Sequence, residues 1–290
     1  MRILSFMLSG FAFVPWVAAQ VSIEVVLEQE QFLPSESVVA AVRITNFSGQ
    51  TLHLGKEDDW LRFSVEARDG YVVSKQDDPA VKGEFDVESS KIATKRVDVA
   101  PYFSLTKPGR YLITATVKLA QWDKELSSKP REFDVIAGTR LWEQEFGVRR
   151  AAGDTSPPEV RKYALQQAIH LKQMKLYVRV TDQSESHIFR VFPIGPMVSF
   201  SQPEKQIDHD SNLHVLYQIG ARKFNYSLIS PDGRLIIRRT YEYSDTRPVL
   251  RIDREGRIVV IGGVRRVSPD DLPAPPETST PDNDGRTTRP

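Results

Sequence analysis

The sequence predicts a mainly β chain of two domains, and three observations carry that prediction. Between Val21 and Ala137 apolar residues recur with period two, in short runs separated by turn residues. In the second half, Gln206-Ile207-Asp208-His209-Asp210-Ser211-Asn212-Leu213-His214-Val215-Leu216 returns as Arg251-Ile252-Asp253-Arg254-Glu255-Gly256-Arg257-Ile258-Val259-Val260-Ile261, 45 residues further on. Between these regions one stretch, Val160 to Lys175, shifts to roughly helical spacing.

The chain opens with the features of a secretory signal over residues 1–19. Arg2 gives a minimal positive start, Ile3 to Val14 is apolar, and Val17-Ala18-Ala19 offers small residues before a cleavage ahead of Gln20. That apolar run is too short to span a bilayer and no later run is longer, so export without a transmembrane anchor is expected. There is no cysteine, so disulfides, thiolate metal sites and lipid attachment to a cysteine are not expected. Removal of the signal leaves 38 basic and 38 acidic side chains, because Arg2 is its one charge. That balance argues against a nucleic-acid partner, which would need a basic excess.

Val21, Ile23, Val25 and Leu27 form one face of a first strand, and Val38, Ala40, Val42 and Ile44 the inner face of a second. Asn46-Phe47-Ser48-Gly49 punctuates; Leu52/Leu54, Leu61/Phe63/Val65 and, after the Asp69-Gly70 turn, Tyr71/Val73 follow. Val97/Val99 precede Lys107-Pro108-Gly109, and Tyr111, Ile113, Ala115, Val117 and Leu119 then make the clearest strand, before Phe133/Val135. Seven or eight short strands in about 115 residues fit a β-sandwich. Phe32-Leu33-Pro34-Ser35-Glu36, Asn46-Phe47-Ser48-Gly49 and Pro108-Gly109-Arg110-Tyr111 resemble segments of exported immunoglobulin-like modules of bacteria. The resemblance implies an immunoglobulin-like sandwich over residues 20–140.

Residues 141–157 read as a connector, softest at Ala151-Ala152-Gly153-Asp154-Thr155. Ser156-Pro157-Pro158-Glu159 has the make-up of a capped helix start, with Ala164, Leu165, Ala168, Ile169 and Leu171 as the helix's apolar face. Strands resume at Leu176. The Asp-x-acid-small turns and Ser230-Pro231-Asp232-Gly233 resemble the repeats of sialidase-type propellers. At most two such units fit before Val264, so the resemblance implies two blade-like units in an open or sandwiched β domain over residues 158–267. The Pro-, Asp-, Thr- and Ser-rich tail, 268–290, lacks the apolar residues to fold.

Asp208, His209, Asp210 and His214 are the densest group of metal-type ligands. The second copy replaces them with Asp253, Arg254, Glu255 and Val259, so the expectation is that the carboxylates serve the turns and that no metal or cofactor is bound. No nucleophile elbow or phosphate loop occurs, and His53, His170 and His187 each stand alone in sequence. The sequons at Asn46 and Asn225 are expected to carry nothing. Tyr217, Arg222, Phe224, Tyr226, Arg238, Tyr241 and Tyr243 form the candidate ligand surface, because aromatics beside arginines suit a protein or glycan. The expected function is that of an exported, non-enzymatic binding or envelope-structural protein, periplasmic or extracellular. The alternatives are a proteinase-inhibitor-like module and a divergent sialidase-type hydrolase or glycan binder.

Overall fold

A computed structural model describes residues 21–148 and 159–273. The expected signal segment, the Ala151–Thr155 stretch and most of the tail lie outside them. The described chain is strand throughout, with two short 3-10 turns and no α-helix. Two compact units form, the first from residues 21–30, 38–104 and 110–133, the second from 31–37, 105–109 and 134 onward. The second unit is therefore discontinuous in sequence, whereas the expected domains, 20–140 and 158–267 with a connector over 141–157, are each one continuous stretch.

The first ten strands are β1 (Val21–Leu27), β2 (Gln31–Phe32), β3 (Val39–Asn46), β4 (Leu52–Leu54), β5 (Leu61–Ala67), β6 (Phe85–Val87), β7 (Lys91–Asp98), β8 (Gly109–Leu119), β9 (Lys124–Ser127) and β10 (Arg131–Val135). In the first unit β1-β3-β7 form one antiparallel sheet, β10-β8-β5 a second with β9 on β8, and β4-β6 a short pair. The period-two reading holds for β1, β3, β5 and β8, whereas Tyr71 and Val73, expected in a strand after the Asp69-Gly70 turn, lie in none. Ile23 faces Ile44 and Val25 faces Val42 across β1 and β3, all buried, while Ser22 and Glu24 face water. In β8 every second residue from Tyr111 to Leu119 is buried, and Tyr111 stacks on Phe133 with ring centroids 5.5 Å apart.

The Asn46-Phe47-Ser48-Gly49 signal is a satisfied buried polar knot. Asn46 Nδ2 donates to the carbonyls of Gln50 (2.7 Å) and Val87 (2.8 Å), and its Oδ1 accepts from Ser48 N (2.9 Å) and Ser48 Oγ (2.7 Å). Its full burial, and that of Asn225, puts both sequon asparagines in the interior.

The second unit contains β11 (Thr139–Gly147), β12 (Val160–His170), β13 (Gln173–Asp182), β14 (Ile188–Pro196), β15 (Glu204–Ile207), β16 (Leu213–Gln218), β17 (Lys223–Ile229), β18 (Leu235–Glu242), β19 (Val249–Ile252), β20 (Ile258–Ile261) and β21 (Val264–Arg266). Strands β11-β12-β13-β14 make a four-stranded meander, β15-β16-β17-β18-β21 a five-stranded sheet, and β19-β20 a hairpin. Tyr163, Leu165 and Val178 from the first sheet and Leu213, Val215 and Tyr217 from the second share one core. The opposite face of the five-stranded sheet carries Leu216, Phe224 and Tyr226, packed with Leu250 of the hairpin. The opposite face of the meander is covered by Leu33, on Ala168, Tyr177 and Val191. Here β2 pairs in parallel with Asp134 and Val135.

The helix expected over 160–175 is instead the hairpin β12–β13. Its strand has both faces covered, so Tyr163, Ala164, Leu165 and Ala168 are all buried and the polar alternation that marks a strand is erased. Leu171 and Lys172, at φ 46° and 69°, then make the tight turn that a helix would have run through. The expected connector is strand β11 as far as Gly147, with Phe146 stacked on Tyr163 at 4.2 Å. At the head of the expected tail, Leu272 exchanges backbone hydrogen bonds with Arg238, and Arg265 pairs with the buried Asp271 at 2.5 Å.

Asn46→Ala should destabilise the chain by about 2–4 kcal/mol, since it strands two carbonyls and leaves a cavity in place of four hydrogen bonds. Urea unfolding checks this. A loss below about 0.5 kcal/mol would show that water replaces the side chain without cost.

Candidate functional site

The seven residues of the candidate ligand surface do not form one. Tyr217 is core, its hydroxyl donating to Ile194 O at 2.5 Å, and Phe224 and Tyr226 are buried beneath the β19–β20 hairpin. Tyr241 is half-buried against the same cluster, with Arg265 over its ring at 5.9 Å. Arg238 lies on the face shared with Ser227, opposite it in register. Only Arg222 and Tyr243 remain at an exposed edge, where the guanidinium sits 5.4 Å from the ring and donates to Tyr243 O at 3.0 Å. The sequence clustered these aromatics because β16–β18 are covered on both faces, which requires apolar residues at successive positions.

The repeated phrase is a hairpin turn, and its carboxylates hold backbone. Asp208 Oδ1 accepts from the amides of Asp210 (2.9 Å) and Asn212 (2.8 Å); Asp253 Oδ1 accepts from those of Glu255 (2.9 Å) and Arg257 (2.9 Å). A third copy lies between them. Ser230 Oγ accepts from Arg234 N at 3.1 Å, and Gly233 holds the position of Ser211 and Gly256, all three with φ between 66° and 79°. The true repeat is thus one hairpin of about half the 45-residue spacing, hidden where serine replaces aspartate. Asp182 makes a related turn at the end of β13, where hydrogen bonds from Ser184 and from His187 N hold its carboxyl down at about 2.

Asp208 has one further role that Asp253 lacks. Its Oδ2 lies 3.1 Å from His214 Nε2, and His214 Nδ1 lies 2.9 Å from the hydroxyl of Tyr226. With Asp208 ionised, the consistent proton placement has Nε2–H donating to the carboxylate and Nδ1 accepting from Tyr226. Burial lowers the pKa of His214 against the opposing pull of Asp208, and pushes Tyr226 up to about 12. For Asp208, burial works upward, but hydrogen bonds from Asn212 and His214 outweigh it and its pKa is lowered. Every polar atom of this relay is engaged inside the fold. His209 is exposed, 3.5 Å from Asp210, and no group of three or more metal-type ligands converges among the described residues.

The first unit has a cleft of about 260 Å³ beside the β4–β6 pair. His53 and Asp86 face each other in register, and His53 Nδ1 lies 2.7 Å from Asp86 Oδ1. Opposite them, Lys118 Nζ lies 2.6 Å from Glu57 and 3.6 Å from Asp59, and the Glu57 hydrogen bond raises its pKa. The 3-10 turn Ala120–Trp122 supplies Gln121, whose Oε1 accepts from His53 N at 3.1 Å. Trp60 is buried behind the cleft, its indole donating to Val81 O at 2.7 Å and its ring edge-on to Phe85 at 5.4 Å. Gly55, at φ 83°, is required on this wall because a Cβ would lie 2.2 Å from Gly83 O. His53, alone in sequence, is thus half of a hydrogen-bonded His–Asp pair assembled by strand pairing.

Two outcomes are expected for the relay. Asp208→Ala should cost about 1–2 kcal/mol through its amide and imidazole bonds, and Asp253→Ala should lower the melting temperature by less. Because the folded pKa of His214 is lowered, the unfolded chain takes up the proton first. Stability is then full above the ordinary histidine pKa near 6.5 and falls as pH drops below it. The Asp208 share persists to lower pH and is lost as its lowered pKa is passed. Urea midpoints between pH 7.5 and about 5 should flatten in His214→Gln; an unchanged slope would assign the acid sensitivity to other groups.

Comparison of the chain with protein-family models, curated proteins and solved structures finds no match in any of the three.

Proposed function

We propose that the chain is an exported binding protein, and that the cleft beside β4–β6 takes a short polypeptide segment of its partner. The observation that carries this reading is the cleft's mixed charge. Cationic Lys118 and acidic Glu57, with the His53–Asp86 pair facing them, stand around a recess of about 260 Å³. That volume matches one or two side chains rather than a whole cofactor. Both signs of charge suit the alternating groups of a polypeptide. A glycan site draws on an exposed aromatic face, and Trp60, the cleft's aromatic residue, is buried with its indole N–H committed. The Asp208–His214–Tyr226 relay supports a non-enzymatic reading, since its polar atoms are engaged within the fold. Export rests on the apolar opening and the Val17-Ala18-Ala19 site.

A library of mixed-charge heptapeptides titrated against the full chain should yield binders whose affinity falls with salt. Lys118→Ala and Asp86→Ala should each weaken them at least about fivefold, while soluble peptidoglycan and chitin oligomers should not bind. Binding unaffected by either substitution, or confined to the glycans, would overturn the assignment.

A further inference from the structure

The edge of β20 stands apart from the other strand edges of the molecule. Exposed edges are normally blunted by charge or proline, because their unpaired backbone groups invite another strand. Thus β1 carries Glu24, β5 Arg62, β7 Lys95, β11 Glu143, β14 Pro193 and β15 Lys205. Among the described edge strands of four or more residues, only β20, Ile258-Val259-Val260-Ile261, has neither. It belongs to a two-stranded layer, whereas the layers beneath it have five and four strands.

The hydrogen-bond phase of the hairpin identifies the groups left open. Asp253 N donates to Arg257 O at 2.9 Å, so Arg251/Val259 and Val249/Ile261 are the mutually bonded pairs. The N–H and C=O groups of Leu250 on one side, and of Ile258 and Val260 on the other, then point outward. On the β19 side Leu250 N is engaged, donating to Glu204 at 2.8 Å. On the β20 side the backbone groups of Ile258 and Val260 have no hydrogen-bond partner among the described residues. These open groups sit symmetrically about Val259, so the strand is its own antiparallel complement.

We propose that β20 pairs antiparallel with β20 of a second copy of this chain, about a two-fold axis between the two Val259 residues. Ile258 and Val260 then exchange hydrogen bonds with the partner's Val260 and the partner's Ile258, and the two hairpins become one four-stranded sheet. Val259 meets the partner's Val259 as a close non-hydrogen-bonded pair, with β-branched side chains in contact. The contact is isologous and closes at two. Ile261, 48% exposed, flanks the axis.

The absence of native cysteine makes the test direct. A non-hydrogen-bonded antiparallel pair has Cα atoms ~4.5 Å apart, within disulfide range. Full-length Val259→Cys should therefore oxidise to a covalent dimer at least about tenfold faster than Phe47→Cys, an exposed control in the first unit. In sedimentation equilibrium the native chain should dimerise. Val259→Lys and Val259→Glu should each be monomeric and should dimerise when mixed. Val260→Pro, which removes an outward N–H without touching the β19 ladder, should also be monomeric. A native chain that stays monomeric at about 100 μM, a hundredfold above a ~1 μM Kd, overturns the proposal, as does Val259→Cys oxidising no faster than the control. A dimer that survives both Val259→Lys and Val260→Pro places the contact elsewhere and equally overturns it.

Discussion

A sheet covered on both faces has no side to give to water, and the five-stranded sheet of the second unit is built under that constraint. One face shares a core with the β11–β14 meander and the other lies under the β19–β20 hairpin. Several of its polar side chains are satisfied from within. Tyr217 gives its hydroxyl to Ile194 O, and His214 is held between Asp208 and Tyr226. From the facing sheet, Tyr163 donates to Ser211 O at 3.0 Å. A buried donor without its acceptor costs ~1–3 kcal/mol, so these bonds fix which register the strands adopt.

The turns share this task. The same backbone arrangement closes β15–β16, β17–β18 and β19–β20, and in each the first residue's side chain caps the amide four positions on. Asp208 alone extends from its turn into the packed interior. One copy of a repeated device therefore couples a turn to the acid response of the layer beneath the hairpin, while the solvent-facing Asp253 copy serves the turn alone.

How much of this could be read from the sequence depended on whether a strand has a wet face. Strand β8 was legible from Tyr111 to Leu119 because its alternate residues are less buried. Strand β12 was not: with Leu33 and Ala168 on one side and Tyr163 and Leu165 on the other, its apolar residues fall at i, i+1, i+4 and i+5 and imitate a helix. The Asp208 and Asp253 turns were legible as turn carboxylates because both copies keep the acid. The copy at Ser230 is legible as a turn from Pro231-Asp232-Gly233, but the serine in place of aspartate hides its kinship with the other two. The cleft left no local signal. His53 and Asp86 are 33 residues apart and Lys118 and Glu57 are 61 apart, joined only through strand pairing.

The discontinuity of the second unit bears on how the chain is made. Phe32 and Leu33 belong to that unit, and Leu33 is buried on Ala168, Tyr177 and Val191. Those partners emerge from the ribosome some 135 to 158 residues later, an interval of roughly 7–30 s at ordinary rates of elongation. Throughout it Leu33 lacks those three residues, although Val135 and Ile136 of its own unit emerge earlier and line β2. Loop closure over such a span adds little free energy beyond that of a shorter loop, so the burden is one of time rather than equilibrium. A fragment ending near residue 140 would keep Leu33 permanently without those three partners, a ready handle for a chaperone or for another unfinished chain.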